Sequence, residues 1–368
     1  MNELNSRPDD ETRDMLAGSA ERLLADLCTP ALLRTVDAGS DPEQRRQAPA
    51  AGLGAAEPLW HAIVDAGLHL ATAPEAAGGV ELGWREVEPL VRMAGRFGAP
   101  VPLAEMLAAH ALARLAGIEL PEGIATLGVV QGMAAAPSGA IVAGGVAFAG
   151  AARTVLVSVP DPASRAHRLL VLERAAAAVE PGLNVAGEER SRLVWERPQP
   201  LASGLLPEGV TVLLAGAAIR AAQLAGGCEQ VLTMSTRYAN DRIQFGRPIG
   251  KFQAIQQQLA LAGSWTGLAA IASQLALADR SVSLDPTRVA SAKHVAASAA
   301  ELCAGIAHAV HGAIGVTAEY DLQLHSRRLY AWAGEHGSAL YWSRVLGEAT
   351  LAGDAPRSWD GIVAATTV

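Results

Sequence analysis

Aromatic side chains are scarce in this sequence: they make up 4% of 368 residues, and charged side chains only 18%. So few rings argue against a β-sandwich packed on large aromatics, and abundant alanine favours helices packed closely through small side chains. Cysteine is rarer still. Cys28, Cys228 and Cys303 lie far apart without metal-ligand spacing, which excludes a disulfide framework and points to a reduced, cytoplasmic setting. A basic excess is also missing. The net charge is −8, which argues against a protein that must lay a positive stripe on nucleic-acid phosphates. The few basic pairs, Arg45-Arg46 and Arg327-Arg328, are short and read as solvated. Long uninterrupted apolar runs are lacking too. Arg220 breaks the stretch 211–225, and Lys293, Glu301 and His308 break 289–310, so neither reads as a membrane span. The acidic, polar start MNELNSRPDDETRD does not read as a secretory leader. What is present is core. Half the residues are apolar, and the length allows two or three packed domains.

The texture changes twice along the chain. Residues 10–36 read as helix, followed by a Pro/Ala/Gly-rich connector, and from Leu59 to about Gly117 helices alternate with Gly and Pro breaks. Between about 121 and 207, short runs such as Thr154 to Val159 and Leu169 to Leu172 are strand-length and bounded by Gly and Pro. From Glu208 onward long helices return. Asp285-Pro286 places an oxygen acceptor at a helix cap and proline at the first helical position, and Gly312 reads as that helix's stop. Ile255, Leu259, Ala262, Ala269 and Ala276 recur at spacings of four and seven, a stripe facing a partner helix. Gly226-Gly227-Cys228 reads as a close helix crossing. The expected domains are therefore 1–120 helical, 121–207 β, and 208–368 a helical bundle.

The most informative segment is Arg237-Tyr238-Ala239-Asn240-Asp241-Arg242-Ile243-Gln244-Phe245-Gly246-Arg247-Pro248-Ile249-Gly250-Lys251-Phe252-Gln253. A helix carries Arg242 to its end, Gly246 and Pro248 interrupt, and Lys251-Phe252 lead into the next helix. Guanidinium, amide and ring together suit a pyrophosphate bearing a planar ring, because arginine makes forked contacts with phosphate oxygens. The same residues equally describe an ordinary helix hairpin with a solvated arginine.

The pattern R-x-Q-F-G-x-P-I-x-x-F-Q resembles the segment with which acyl-CoA dehydrogenases hold the diphosphate and adenosine of FAD across a subunit interface. Trp60 through Leu68, then Pro74-Glu75-Ala76-Ala77-Gly78-Gly79, is similar to the family's N-terminal pattern, and Glu105 after Pro100-Val101-Pro102 stands in its usual context. His311-Gly312-Ala313-Ile314-Gly315-Val316-Thr317-Ala318-Glu319-Tyr320 resembles its late signature, with Gly312 and Gly315 at the flavin side. The resemblance spans nearly the whole chain, in order. It implies a mostly α fold with a small β domain: an N-terminal helical domain, a middle β-barrel-like domain and a C-terminal four-helix bundle. It also implies FAD as cofactor, an acyl-CoA substrate and a dimer or tetramer. Arg242, Gln244, Phe245 and Gln253 would be the cofactor contacts.

The chain also departs from the family. The Thr-Glu-Pro…Gly-Ser-Asp flavin segment has no counterpart between Leu127 and Gly150, where Pro137-Ser138-Gly139 is the nearest fragment. The usual place of the catalytic glutamate falls at His336, one residue after Glu335, and its place in another subgroup falls at Gly216. The arginine beside the latter is Ala217, and the glutamine before the late Gly-Gly is Ala309. Three readings follow. The first is the non-catalytic partner in a heteromeric FAD-dependent acyl-CoA dehydrogenase, of the kind linked to steroid side-chain degradation, paired with a second subunit of the same type. The second is a self-sufficient enzyme with Glu335 as base, and the third a helical scaffold without flavin. Among the remaining candidates, His308 and His311 lack a third ligand nearby, so no metal is expected. Glu301 reads as a paired core or interface carboxylate, and Thr317 as the cap of a helix start aided by Glu319 and Asp321.

Overall fold

The computed structural model describes residues 8–38, 52–131, 139–352 and residue 360. Arg45-Arg46 and most of the Pro137-Ser138-Gly139 fragment lie outside the described residues. The N-terminal part carries α1 (Pro8–Leu27), α2 (Pro30–Ala38), α3 (Glu57–Asp65), α4 (Trp84–Phe97) and α5 (Leu103–Ala116). Gly98 and Gly117, both with φ 63°, close α4 and α5 in the left-handed conformation that glycine tolerates.

Among the described residues eight strands follow: β1 (Ala125–Leu127), β2 (Val129–Val130), β3 (Ile141–Val146), β4 (Thr154–Pro160), β5 (His167–Glu173), β6 (Ala178–Glu180), β7 (Ser191–Trp195) and β8 (Pro200–Leu205). They form two four-stranded sheets, ordered β1-β4-β5-β8 and β2-β3-β7-β6. Pairing is antiparallel except between β1 and β4. Val146, Val155, Val157, Leu172, Leu193 and Trp195 fill the space between the sheets, a core separate from the main one. The chain switches sheets at Gly128, where a Cβ would lie 2.9 Å from the Ala143 methyl.

The C-terminal part is a bundle of α6 (Val212–Asp241), α7 (Gln253–Ala276), α8 (Pro286–His311), α9 (Leu322–Gly334) and α10 (Ala339–Ala352). Thr211 caps α6 by accepting from the Leu214 amide at 3.0 Å, and Asp285 caps α8 by accepting from the Arg288 amide at 2.8 Å. Small residues bring α4 and α6 into backbone contact. A Cβ on Gly226 would lie 1.9 Å from the Arg92 carbonyl oxygen, and one on Gly95 2.1 Å from that of Gln223. The expected close crossing is therefore glycine against backbone from both sides. Of the α7 stripe, Ala262, Ala269 and Ala276 are buried while Ile255 and Leu259 are half-buried. The helical segment Pro286–Val316 is long and apolar enough to cross a bilayer by length and composition alone, as is Gln253–Ala276. The first, however, carries a fully buried, hydrogen-bonded Lys293 into the bundle.

Two expectations are corrected here. Glu301 is exposed on α8, because its position faces away from the stripe of buried alanines, which excludes the core half of its reading and leaves the interface half standing. Thr317 caps no helix: α9 begins at Leu322 behind Asp321, and the Thr317 hydroxyl donates instead to the Ile314 carbonyl at 2.9 Å.

Candidate active site and nucleotide-contact hairpin

Where α9 ends, the chain makes a sharp exit. Glu335 is the last capping residue, His336 follows at φ 52° and Gly337 at φ 92°. The elbow is held from α8, whose Lys293 ammonium donates to the carbonyls of Ala333 and Gly337, each at 2.8 Å. It is held from α10 by Trp342, whose indole donates to the His336 carbonyl at 2.9 Å. Gly337 has no room for a side chain, since a Cβ would lie 2.6 Å from Trp342 Nε1. Burial lowers Lys293 to about 7, with Arg220 adding repulsion.

The elbow turns the His336 ring onto α6. A Cβ built on Gly216 would lie 2.2 Å from His336 Nδ1, so the ring occupies the space a side chain at 216 would need. Nδ1 is buried without a hydrogen-bond partner, and burial, reinforced by Arg220, lowers the ring to about 3. It is therefore a neutral imidazole at neutral pH, and a weak base.

Glu335 points into a ring of cations. Arg190 grips it with Nε at 2.7 Å and Nη2 at 3.0 Å, Arg220 lies 3.0 Å from Oε2, and Asn184 donates at 3.0 Å. Burial alone would raise this carboxyl, but Arg190 and Arg220 overcome it and hold it at about 2. A general base needs the opposite tuning. The network continues through Glu188, which accepts from Arg190 at 3.0 Å and from the Trp332 indole at 2.8 Å. Arg328 lies 3.2 Å from Glu188 and 2.9 Å from Asp37, and is 1% exposed. This overturns the solvated reading of Arg327-Arg328: Arg328 is an internal strut, and Arg327 also reaches Asp37 at 2.9 Å. On the far side, Arg220 lies 3.5 Å from Glu105, whose carboxyl is raised by burial while Arg220 opposes the shift.

A cavity of about 430 Å³ opens beside these groups, between Val129 and Gly144 of one sheet, Leu213 of α6, and Tyr330, Glu335 and His336 at the end of α9. Arg190, Asn184 and Glu335 in its lining are already paired, whereas His336 Nδ1 is not. Arg190 donates to Glu335, Glu188 and the Glu189 carbonyl, and Asn184 to Glu335 and Glu188. Gln131 fills the volume above Gly144, where a Cβ would lie 1.8 Å from its Nε2.

The arginine segment forms a hairpin. α6 stops at Asp241 with Arg242 as its cap, earlier than the expected breakers, because β9 (Ile243–Gln244) pairs with β10 (Arg247–Pro248). The two-residue loop Phe245-Gly246 has positive φ at both positions, 52° and 78°, as a primed turn requires. Arg242, Gln244 and Gln253 are exposed, and Phe245 is 92% exposed. Among the described residues the Arg242 side chain has no hydrogen-bond or ion-pair partner. One turn earlier, Tyr238 stacks on His311 at 4.4 Å, and Tyr320 tilts against His311 at 4.9 Å. Gly312 sits at φ 63°, ψ −144°, and Gly315 is buried with a Cβ position 2.9 Å from the His311 Cβ. Both shape the turn behind that aromatic group. His308 bonds Ser326 and His311 bonds the Ala307 carbonyl, and no metal-holding cluster exists among the described residues.

Residues 210–338 match the family model for the acyl-CoA dehydrogenase C-terminal domain. Acyl-CoA dehydrogenase IpdE2 of Mycobacterium tuberculosis is 29% identical over 333 residues, covering 89% of this chain and 92% of that protein. The chain is thus similar to acyl-CoA dehydrogenases, with the match to the family model lying over the C-terminal bundle, residues 210–338. Two solved structures share its fold over 94% of its length: the ChsE4–ChsE5 complex from Mycobacterium tuberculosis, and a variant of the Tcur3481–Tcur3483 steroid acyl-CoA dehydrogenase. The first gives a TM-score of 0.77 at 23% identity over 98% of its chain, and the second 0.80 at 24% over 99%. Within this fold the structure brings Gly216, Glu335 and His336 into one place. It leaves Arg242, Gln244, Phe245 and Gln253 at a surface hairpin. Arg190, Asn184, Glu188, Arg220 and Lys293 escaped the motif reading. Asn184 gave no signal, and that of the other four was charge: Arg220 and Lys293 interrupt alanine-rich helices, where a charge persists only if paired or functional.

Proposed function

We propose that this chain is the non-catalytic partner in a heteromeric, FAD-dependent acyl-CoA dehydrogenase, paired with a second subunit of the same family. One observation carries the reading: neither base position holds a usable carboxylate. Position 216 is glycine filled by the His336 ring, and Glu335 next to it is bound by Arg190 and Arg220. Removal of a proton from carbon needs a positioned base of matched pKa, and such a base is wanting here.

The cofactor fits one part of the chain and not the other. The exposed guanidinium of Arg242, the amide of Gln244, the outward ring of Phe245 and the amide of Gln253 suit the diphosphate and adenosine end of a dinucleotide presented by another subunit. Arg190 and Asn184, the guanidinium and amide donors lining the cavity beside Glu335, are taken up by Glu335, Glu188 and the Glu189 carbonyl, which leaves few donors for a flavin ring. FAD supplies hydride acceptance in this family; the residues here would steady its nucleotide end. Leu261, Leu268 and Ile271, all exposed on α7, give an apolar face consistent with a subunit interface. ChsE4–ChsE5, a complex of two differently named chains, is a structural precedent for such pairing. The test is the visible spectrum after purification alone and after co-expression with a catalytically complete partner. Flavin bands only in the mixture are expected; flavin bands in neither preparation would favour a scaffold.

A further inference from the structure

α5 presents two different chemistries. Glu105 faces the arginine network, whereas Met106, His110 and Ala113 line a second cavity of about 580 Å³. It lies between α5, α3 and the segment entering β1, and shares no lining residue with the cavity beside Glu335. A volume of this size is within the usual range for small-molecule sites, roughly 300–1,000 Å³. The interior is apolar apart from two imidazoles. His110 is 7% exposed, and its Nε2 is buried without a hydrogen-bond partner. His69 presents a buried, unpartnered Nδ1, with Trp60 edge-on to its ring at 5.7 Å. Both histidines line this apolar space, and a buried nitrogen without a partner on each is costly for folding unless something bonds it.

The surrounding charge narrows what that something is. Glu119 and Glu122 stand exposed at the rim, and no cation is among the lining residues. Anions are repelled there. Both rings are neutral, His110 lowered to about 4 by burial and by neighbouring His69, so neither offers a positive charge to a carboxylate. A neutral imidazole presents one donor and one acceptor nitrogen, and a hydroxyl group satisfies either.

We propose that this cavity is a binding site for an uncharged, apolar ligand carrying a hydroxyl group, which bonds His110 Nε2. The site is independent of the reading of the chain as a partner subunit, because it uses none of the same residues.

The test is equilibrium dialysis of the full-length chain against 2-naphthol and, separately, 2-methylnaphthalene, two probes of the same shape. The methyl compound is the more hydrophobic, so apolar burial alone favours it. The expected result is saturable binding of one probe per chain, with 2-naphthol bound about fivefold more tightly or better. His110→Leu should remove that preference while keeping 2-methylnaphthalene binding, and Ala113→Phe should abolish binding of both by filling the cavity. Circular dichroism checks that each variant is folded, and the comparison of the two probes on the unaltered chain stands without either variant. No saturable binding, equal or tighter binding of the hydrocarbon, or a preference that survives His110→Leu overturns the proposal.

Discussion

The ring of His336 and the bare Cα of Gly216 share one space: with Nδ1 2.2 Å from where a Cβ would sit, each position excludes a side chain at the other. A histidine held at φ 52° on the α9 exit is compatible with α6 only because residue 216 is glycine. Gly216→Ala is therefore expected to destabilise the chain by about 1–3 kcal/mol through overpacking, read from urea unfolding. In a His336→Ala background most of that cost should vanish, since the two residues are in contact. Additive effects of the two substitutions would show that the ring does not pack there.

Glu335 gives an acid limb to stability. Its folded value, about 2, lies below the ordinary 4.5. Its contribution is therefore complete above pH 4.5 and is lost as pH falls toward 2. The size at neutral pH is on the order of 3 kcal/mol. Glu335→Gln should flatten that limb and, by leaving Arg190 and Arg220 without their shared carboxylate, destabilise at neutral pH as well. An acid limb identical in the two proteins contradicts the ion-paired assignment.

Lys293 acts in the alkaline range with the opposite logic. Its folded value of about 7 lies below the ordinary 10.5, so between these the unfolded chain binds more protons. Stability should then rise with pH across that window, by up to ~1.4 kcal/mol per unit, and be flat below it. Lys293→Met should abolish this slope in pH-dependent denaturation, and should also loosen the elbow whose carbonyls at Ala333 and Gly337 the ammonium holds.

Arg242 should behave in reverse. With no partner among the described residues, Arg242→Gln is expected to leave the unfolding midpoint of the isolated protein within about 0.5 kcal/mol of its original stability. In the co-expressed complex the same change should weaken flavin retention about tenfold or more, the loss of a charge-assisted phosphate contact. Dialysis followed by flavin fluorescence reads this directly. Undiminished retention removes Arg242 from the cofactor site.

The fold was legible because its signals are local. The runs at Thr154 to Val159 and Leu169 to Leu172 are strand-length, rich in Val and Leu and bounded by Gly and Pro, and Asp285-Pro286 is a cap with a mechanism. The site was only half legible. Glu335, His336 and Gly216 stood out against a known pattern, but their meaning depends on which side chains meet across the interior. Arg190 lies 145 residues before Glu335, and no spacing rule connects them. Arg328 was misread for the same reason: its partners Asp37 and Glu188 are remote in sequence, so an adjacent pair of arginines looks like a solvated face. The hairpin was read as a broken helix, because a phenylalanine at positive φ runs against its local preference and only the pairing of β9 with β10 enforces it.

The proposed partner role requires that this chain cannot do the chemistry without help. The deciding measurement is anaerobic addition of acyl-CoA thioesters to the purified chain reconstituted with FAD, following the flavin absorption. No bleaching is predicted for the chain alone, and rapid bleaching once a catalytically complete partner subunit is present. Stoichiometric FAD and full bleaching by the isolated chain would contradict the proposal and return the role of base to a residue of this polypeptide.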